Sequence, residues 1–181
     1  MKKLLLAAFI LLVLVQWLVP GKMIWDKNRV LQRGHTFRFE TEPVDPSDPF
    51  RGRYITLNFK MDTFRMNARN GFELEDEIYV LLKRDEQGFA RVRGVSLDPP
   101  ANDPDYVKAN AYILYDAPQY MVHISYPFEE FYLDEYKAPK AEQDYFNSTR
   151  DTTLKTYAVV KVYKGEAVIE NVIVNNKPLV Q

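Results

Sequence analysis

Residues 42–59 read EPVDPSDPFRGRYITLNF, and this stretch joins a rigid turn directly to a β-strand. Each proline of the turn fixes its own φ, lacks an N–H and moves the preceding residue out of the helical region. From Tyr54 onward polar and apolar residues alternate, with Leu57 and Phe59 on one face and Tyr54 and Thr56 on the other. The sequence therefore predicts a strand that buries Leu57 and Phe59, while the Tyr54 hydroxyl needs water, a hydrogen-bond partner or a ligand.

The same period-two alternation continues beyond Gly34 in segments rich in Val, Ile and Tyr, which is typical of strands. We predict strands at residues 36–41, 54–61, 77–83, 89–95, 112–115, 121–126, 130–133, 155–163 and 166–174. The segment 139–146 is the best candidate for a short helix, and the proline-rich segment 97–105 predicts a long internal loop. The expected fold is mainly β, an antiparallel domain built as a sandwich or as two related lobes.

Two predicted hairpins share one pattern. Residues 78–95 and 156–172 each contain a Tyr-led apolar strand followed by Gly-x-Ala-x-(Val/Ile)-x-x-Val, in which Gly88 and Gly165 close the turns. This similarity suggests two related lobes at residues 35–97 and 106–181. The alternative is that any two antiparallel hairpins with a glycine turn look alike.

The N-terminal segment is strongly apolar. Leu4–Val19 alone would span roughly 24 Å as a helix, and continuation through Trp25 extends it to roughly 33 Å, enough to cross a bilayer. We therefore expect residues 1–34 to form a membrane anchor with a helical stalk capped by Gly34, which would bring membrane lipid into contact with the protein. The alternative is a cleaved signal peptide ending near Val19 or Gly21, although the A-x-A pattern is missing.

Two features of the sequence point to opposite sides of the membrane for the domain. Four basic residues follow the apolar run and two precede it, which by the positive-inside rule favours a cytoplasmic domain. A short basic segment followed by an apolar run is, however, how export signals look. We expect the domain on the outer face, residues 35–181 forming one unit.

Composition excludes several classes of function. The net charge is -1, with 24 basic and 25 acidic residues, so no strong field attracts nucleic acid. Cysteine is absent, which excludes disulfides, thiolate metal sites, a cysteine nucleophile and an acylated cysteine. The only histidines are His35 and His123, so a histidine-rich metal site is impossible. We expect no cofactor, no metal and no catalytic residue.

Several segments resemble the bacterial GDYXXLXY family, with Gly52, Tyr54, Leu57 and Phe59 at the named positions. Arg53 stands where the family has Asp, and Phe59 replaces the last Tyr. The resemblance continues through DEIYVLLKRDEQGFARV, PFEEFYLDEY and VIVNNKPL. It implies a membrane-anchored bacterial protein with an exported domain, from a family without an established biochemical activity.

The candidate binding residues lie in the motif and in a second aromatic and acidic segment. Glu130 and Tyr132 share one face of the strand predicted at 130–133. We expect Arg51 to bond Glu130, because a guanidinium can hold a carboxylate with two parallel hydrogen bonds. The candidate binding residues are Arg51, Gly52, Arg53, Tyr54, Glu130 and Tyr132.

Two functional hypotheses follow. The first is a membrane-anchored, non-enzymatic accessory or interaction module whose partner is a multi-spanning membrane protein. The second is a hydrolase or carbohydrate-binding protein that pairs Glu130 with Asp45 or Asp48 against an aromatic platform. Glu42, Asp45 and Asp48 could also gather around a calcium ion, but aspartates beside proline usually bond their own backbone.

Overall fold

The structure, a computed structural model, describes residues 2–42, 54–66, 71–73, 75–116, 119–133, 141, 143, 145 and 155–179. It begins with one long helix, α1 (Lys2–Arg33), and continues almost entirely in strands. The strands are β1 (His35–Glu42), β2 (Tyr54–Thr56), β3 (Asn58–Phe59), β4 (Thr63–Met66), β5 (Glu75–Arg84), β6 (Ala90–Ser96), β7 (Tyr106–Asp116), β8 (Gln119–Ser125), β9 (Glu130–Tyr132), β10 (Tyr157–Tyr163), β11 (Glu166–Val174) and β12 (Lys177–Pro178). The mainly β, antiparallel fold with an N-terminal helix is confirmed.

The strands form two larger sheets and a small ribbon. The first sheet has the order β12-β11-β10-β1-β3, and the second has the order β4-β8-β7-β5-β6. The ribbon is the pair β2-β9. Residues of both sheets form one hydrophobic core, to which Phe37 and Phe39 of β1 and Val80 and Leu82 of β5 contribute.

The motif strand differs in one way from the prediction. Residues 54–61 were expected to form one strand, but the ladder breaks at Leu57, so β2 lies in the ribbon and β3 in the first sheet. The Leu57 N–H donates to the Glu129 carbonyl oxygen at 2.7 Å instead of to a neighbouring ladder residue. Leu57 is 0% exposed and Phe59 2%, as the alternation predicts.

The two similar hairpins also share an irregularity. In the β5–β6 hairpin, Arg93 is the extra residue of a bulge, and in the β10–β11 hairpin Glu170 is the extra residue. Both residues directly follow the Val or Ile of the shared pattern. A bulge at the same position is a second likeness beyond the glycine turn, and it favours relatedness of the two halves.

Two pairs of backbone contacts relate the halves in the same way. The ribbon joins Thr56 to Glu130, and β4 and β8 join Thr63 to His123. His123 lies as far after Thr56 as Glu130 lies after Thr63. Thr56 therefore corresponds to His123, and Thr63 corresponds to Glu130. Each half contacts the other through corresponding positions, which is an approximate two-fold relation.

The two halves exchange their first strands. β1 of the N-terminal half pairs with β10, whereas β7 of the C-terminal half pairs with β5. Each sheet consequently contains strands from both of the expected lobes, 35–97 and 106–181. Neither range forms a sheet of its own.

Of the helix predicted at 139–146 the structure describes Ala141, Gln143 and Tyr145, and all three are helical. Ala141 and Tyr145 are buried in the core. Burial raises the pKa of the Tyr145 phenol to about 12, and a hydrogen bond with the Thr41 side chain lowers it in part.

Candidate functional site

The ribbon brings the two predicted binding segments together. Tyr54 of β2 lies opposite Tyr132 of β9, and Thr56 lies opposite Glu130. Directly opposed residues of an antiparallel pair point to the same side, so the pairing places Glu130 on the same face as Thr56. Arg51, Gly52 and Arg53 lie outside the described residues, and the expected bond between Arg51 and Glu130 stays a prediction.

The described polar contact of this site is between two exposed side chains. The Tyr132 hydroxyl donates to Glu130 Oε2 at 2.6 Å, and Tyr132 is 69% exposed. Glu130 is exposed as well, so its charge is solvated and needs no buried cation. The pair presents a phenol and a carboxylate to solvent and could donate to or accept from a polar group of a bound molecule.

Behind the ribbon, Glu129 has a structural role. Its carbonyl oxygen accepts from the Leu57 N–H, and its Oε1 accepts from the Tyr126 N–H at 2.9 Å. The corresponding bond in the other half runs from the Ile124 N–H to the Asp62 carbonyl oxygen at 2.5 Å. These two bonds lie next to the β2–β9 and β4–β8 pairs and join the two halves there.

Four aromatic rings pack at this junction: Phe39, Phe59, Tyr126 and Phe128. Their centroids lie between 5.0 and 5.9 Å apart, mostly in edge-to-face arrangements. The Tyr126 hydroxyl donates to the Met61 carbonyl oxygen at 2.9 Å, and burial raises the pKa of this phenol strongly. The cluster is part of the hydrophobic core and not an open cleft, since all four side chains are buried.

The charged groups elsewhere give no metal centre among the described residues, in which no group of three or more His, Asp or Glu side chains converges. His123 is exposed on β8, as the alternation of that strand predicts, and its Nδ1 lies 3.7 Å from Asp62 Oδ2. His35 Nδ1 lies 2.6 Å from Asp105 Oδ1. Asp45 and Asp48, proposed as partners of Glu130 or as calcium ligands, lie outside the described residues.

A surface pocket of about 420 Å³ lies on the second sheet. Its lining includes Asn110, Ser125 and the ion pair of Lys108 Nζ with Glu77 Oε2 at 2.8 Å. The hydrogen bond from Lys108 to Glu77 raises the pKa of the lysine. Among the described lining residues the charged ones are Glu77 and Lys108, and they pair with each other.

The contact between α1 and the β domain was missed by the sequence reasoning, which treated residues 23–33 as a stalk. Val30 is buried, and Lys27 Nζ lies 3.1 Å from Glu166 Oε2 at the start of β11. The Gly34 N–H donates to the Val30 carbonyl oxygen at 2.8 Å and ends the helix. A Cβ on Gly34 would lie 3.1 Å from backbone atoms of Val162, so β10 and the helix end approach each other closely.

The signal in the sequence for this docking is weak. Val30 with the exposed Leu31 does not mark a buried helix face, and the long-range partner Glu166 is one of many exposed acids. Gly34 was correctly placed at the helix end, but its close approach to β10 depends on the tertiary structure.

Comparison with known proteins agrees with the resemblance of the motif. The family model described as GDYXXLXY protein matches residues 16–172, which include part of α1 and nearly all of the β domain. No curated protein and no solved structure matches the chain. The matched segment covers most of the sequence, and the chain therefore belongs to the GDYXXLXY family.

Proposed function

We propose that this protein is a membrane-anchored, non-enzymatic accessory or interaction module. Its β domain stands on the outer face of the bacterial cytoplasmic membrane and contacts a multi-spanning membrane protein. The observation that carries the proposal is the continuity of α1, which runs without a break from an uncovered apolar segment into turns that dock on the β domain.

The apolar segment of α1 is not packed against any described part of the chain. Its most apolar 18-residue window has a mean hydropathy of 2.4, and 0% of that window is buried. A surface of this size left in water would aggregate, whereas the interior of a bilayer matches it. Trp25 is exposed on the helix near the end of the apolar run and suits the interfacial region on that side of the bilayer.

The docked end of α1 supports a role in which orientation matters. Burial of Val30, the close approach at Gly34 and the Lys27–Glu166 ion pair fix the helix against the first sheet. A domain held in this way presents the same face to any neighbour in the membrane. A flexible stalk would give no such preference, so the docking favours recognition of a partner in the same bilayer.

The first experiment tests anchoring and side. The native protein should fractionate with membranes, keep its N-terminal residues by mass spectrometry, and be digested by protease added to spheroplasts. A mature N-terminus at Lys22 or later would contradict the anchor. Digestion that occurs only after lysis would place the domain in the cytoplasm.

The second experiment tests the interaction. Full-length protein purified from detergent-solubilised native membranes should retain one multi-spanning protein, and the Gly34→Ala variant should retain less of it while still fractionating with membranes. A version without residues 1–34 controls for the anchor. Equal retention by the Gly34→Ala variant would remove the argument from orientation, and the absence of any multi-spanning protein would contradict the proposal.

The alternative, a carboxylate-based hydrolase or carbohydrate-binding protein, gains no specific support from the described residues. Glu130 is hydrogen-bonded to Tyr132, and its required partner carboxylates lie outside the described part of the chain.

A further inference from the structure

The turn between β10 and β11 has an unusual residue at its tip. Lys164 has φ 48° and Gly165 has φ 90°, the positive values that a two-residue type I′ turn requires at both central positions. Residues with a Cβ are disfavoured there, except Asn and Asp. The turn between β11 and β12 follows the usual preference, with Asn175 at φ 52° and Asn176 at φ 60°. Lysine at position 164 therefore strains the turn. Compared with Asn, it places an ammonium group at the tip.

The tip lies beside the segment of α1 that leaves the apolar run. Glu166, directly after the turn, is bound to Lys27, which follows Trp25 by two residues. Two residues of helix correspond to a rise of about 3 Å. A headgroup region adds roughly 5–7 Å to each side of the hydrocarbon core. If Trp25 marks the interface, the β10–β11 turn is therefore level with the lipid headgroups.

The ammonium group of Lys164 is exposed and has no carboxylate partner among the described residues. The nearby Glu166 is already paired with Lys27, and the neighbouring Lys108 is paired with Glu77. Lys164 Nζ lies 5.7 Å from the centroid of the Tyr163 ring. A lysine and a tyrosine side by side are the residue types that anchor proteins at membrane interfaces.

We propose that the β10–β11 turn is a second membrane contact, in which the Lys164 ammonium binds the phosphate of an anionic lipid headgroup in the bilayer that α1 spans. The inference rests on the proposed anchoring of α1. A single lysine binds lipid weakly, but α1 holds the turn at the surface, so the local concentration of headgroups is high. The contact would fix the tilt of the β domain on the membrane.

The test uses full-length protein in nanodiscs of phosphatidylcholine with or without phosphatidylglycerol, labelled with a water-soluble amine-reactive ester. Lys177 is the internal control, because it is exposed on the same sheet but lies beyond the opposite end of β11. We expect Lys164 to react several-fold more slowly than Lys177 in discs with phosphatidylglycerol, and the difference to shrink at high salt. Equal reaction rates in those discs would overturn the inference.

A matched pair of variants separates lipid binding from turn stability. Lys164→Asn suits the positive φ, so its melting temperature in detergent should equal or exceed that of the wild type. It should lose the rise in melting temperature that phosphatidylglycerol gives the wild type, and Lys177→Asn should keep that rise. If Lys164→Asn keeps the rise in melting temperature, the lipid contact at Lys164 is overturned while the anchoring proposal stands. Failure of the wild type to enter nanodiscs would overturn the anchoring proposal and this inference together.

Discussion

Replacement of Leu57 by Ala should strongly destabilise the β domain. Leu57 is fully buried at the point where the motif passes from the ribbon into the first sheet. Its N–H bond to Glu129 is a backbone bond and remains in the variant. The change therefore removes side-chain packing and leaves the hydrogen bond in place.

The expected cost follows from burial. A fully buried Leu→Ala change loses transfer free energy and leaves a cavity, for a total of about 2–5 kcal/mol. For a domain of this size each kcal/mol lowers the melting temperature by about 2–4 °C, so the variant should melt about 4–20 °C below the wild type. The two-fold relation adds a second expectation, because Ile124 holds the corresponding place and is 1% exposed. Ile124→Ala should have a similar cost.

The assay is urea unfolding of the full-length protein in detergent, followed by circular dichroism at 25 °C. Leu97→Ala is the matched control, since Leu97 is 39% exposed and lies in the loop before β7. It should cost clearly less than either core variant. A cost below about 1 kcal/mol for Leu57→Ala would refute the assignment of this residue to the core.

Three further predictions concern the helix junction and the buried phenol. Gly34→Ala should destabilise the protein by about 1–3 kcal/mol, because its Cβ would lie 2.5 Å from the Val30 carbonyl oxygen; limited proteolysis should show faster cleavage between α1 and β1, and unchanged cleavage would contradict the close approach. Val30→Ala should cost about 1.5–3 kcal/mol in urea unfolding, whereas Lys27→Ala, which breaks an exposed ion pair, should change little; the reverse order would contradict docking by apolar contact. The pKa of Tyr145 is raised from about 10 in the unfolded chain to about 12, so the free energy of unfolding should be constant just below pH 10 and fall between pH 10 and 12 as the unfolded phenol ionises first. Tyr145→Phe should flatten this fall, and an unchanged pH profile would show that the phenol is not buried.

Local patterns predicted most of the strands because each strand has one buried face. Phe37 and Phe39 of β1 alternate with polar residues, and so do Leu57 and Phe59 around the motif. Where the alternation is weak the prediction was incomplete. β7 begins at Tyr106, well before the predicted residue 112, because its first half buries Ala109 and Ala111, which are too small to give a strong signal.

Strand pairing could not be predicted in the same way. The shared hairpin pattern predicts two related halves, but it contains no information on which half pairs with β1. Two edge strands were also missed. In β4 the exposed Thr63 and Arg65 alternate with half-buried Phe64 and buried Met66, and β12 has only two residues. For the candidate site, the sequence indicated that the motif and the 130–133 segment meet, and the pairing of Tyr54 with Tyr132 agrees with that. The docking of α1 depends on contacts with distant strands and left no local pattern.

The exchange of first strands has a consequence for biosynthesis. Thr41 at the end of β1 donates its hydroxyl hydrogen to the Thr156 carbonyl oxygen just before β10, and these residues are 115 positions apart. At synthesis rates of about 5–20 residues per second, β1 waits roughly 5–25 s for its partner. During that time its apolar face and its unpaired edge are open to other chains. An inserted α1 would keep the waiting strand dispersed in the plane of the membrane. A chain that ends before β10 leaves one edge of β1 unpaired and accessible to proteases. Completion of the C-terminal hairpin is thus the step that commits the N-terminal half to its fold.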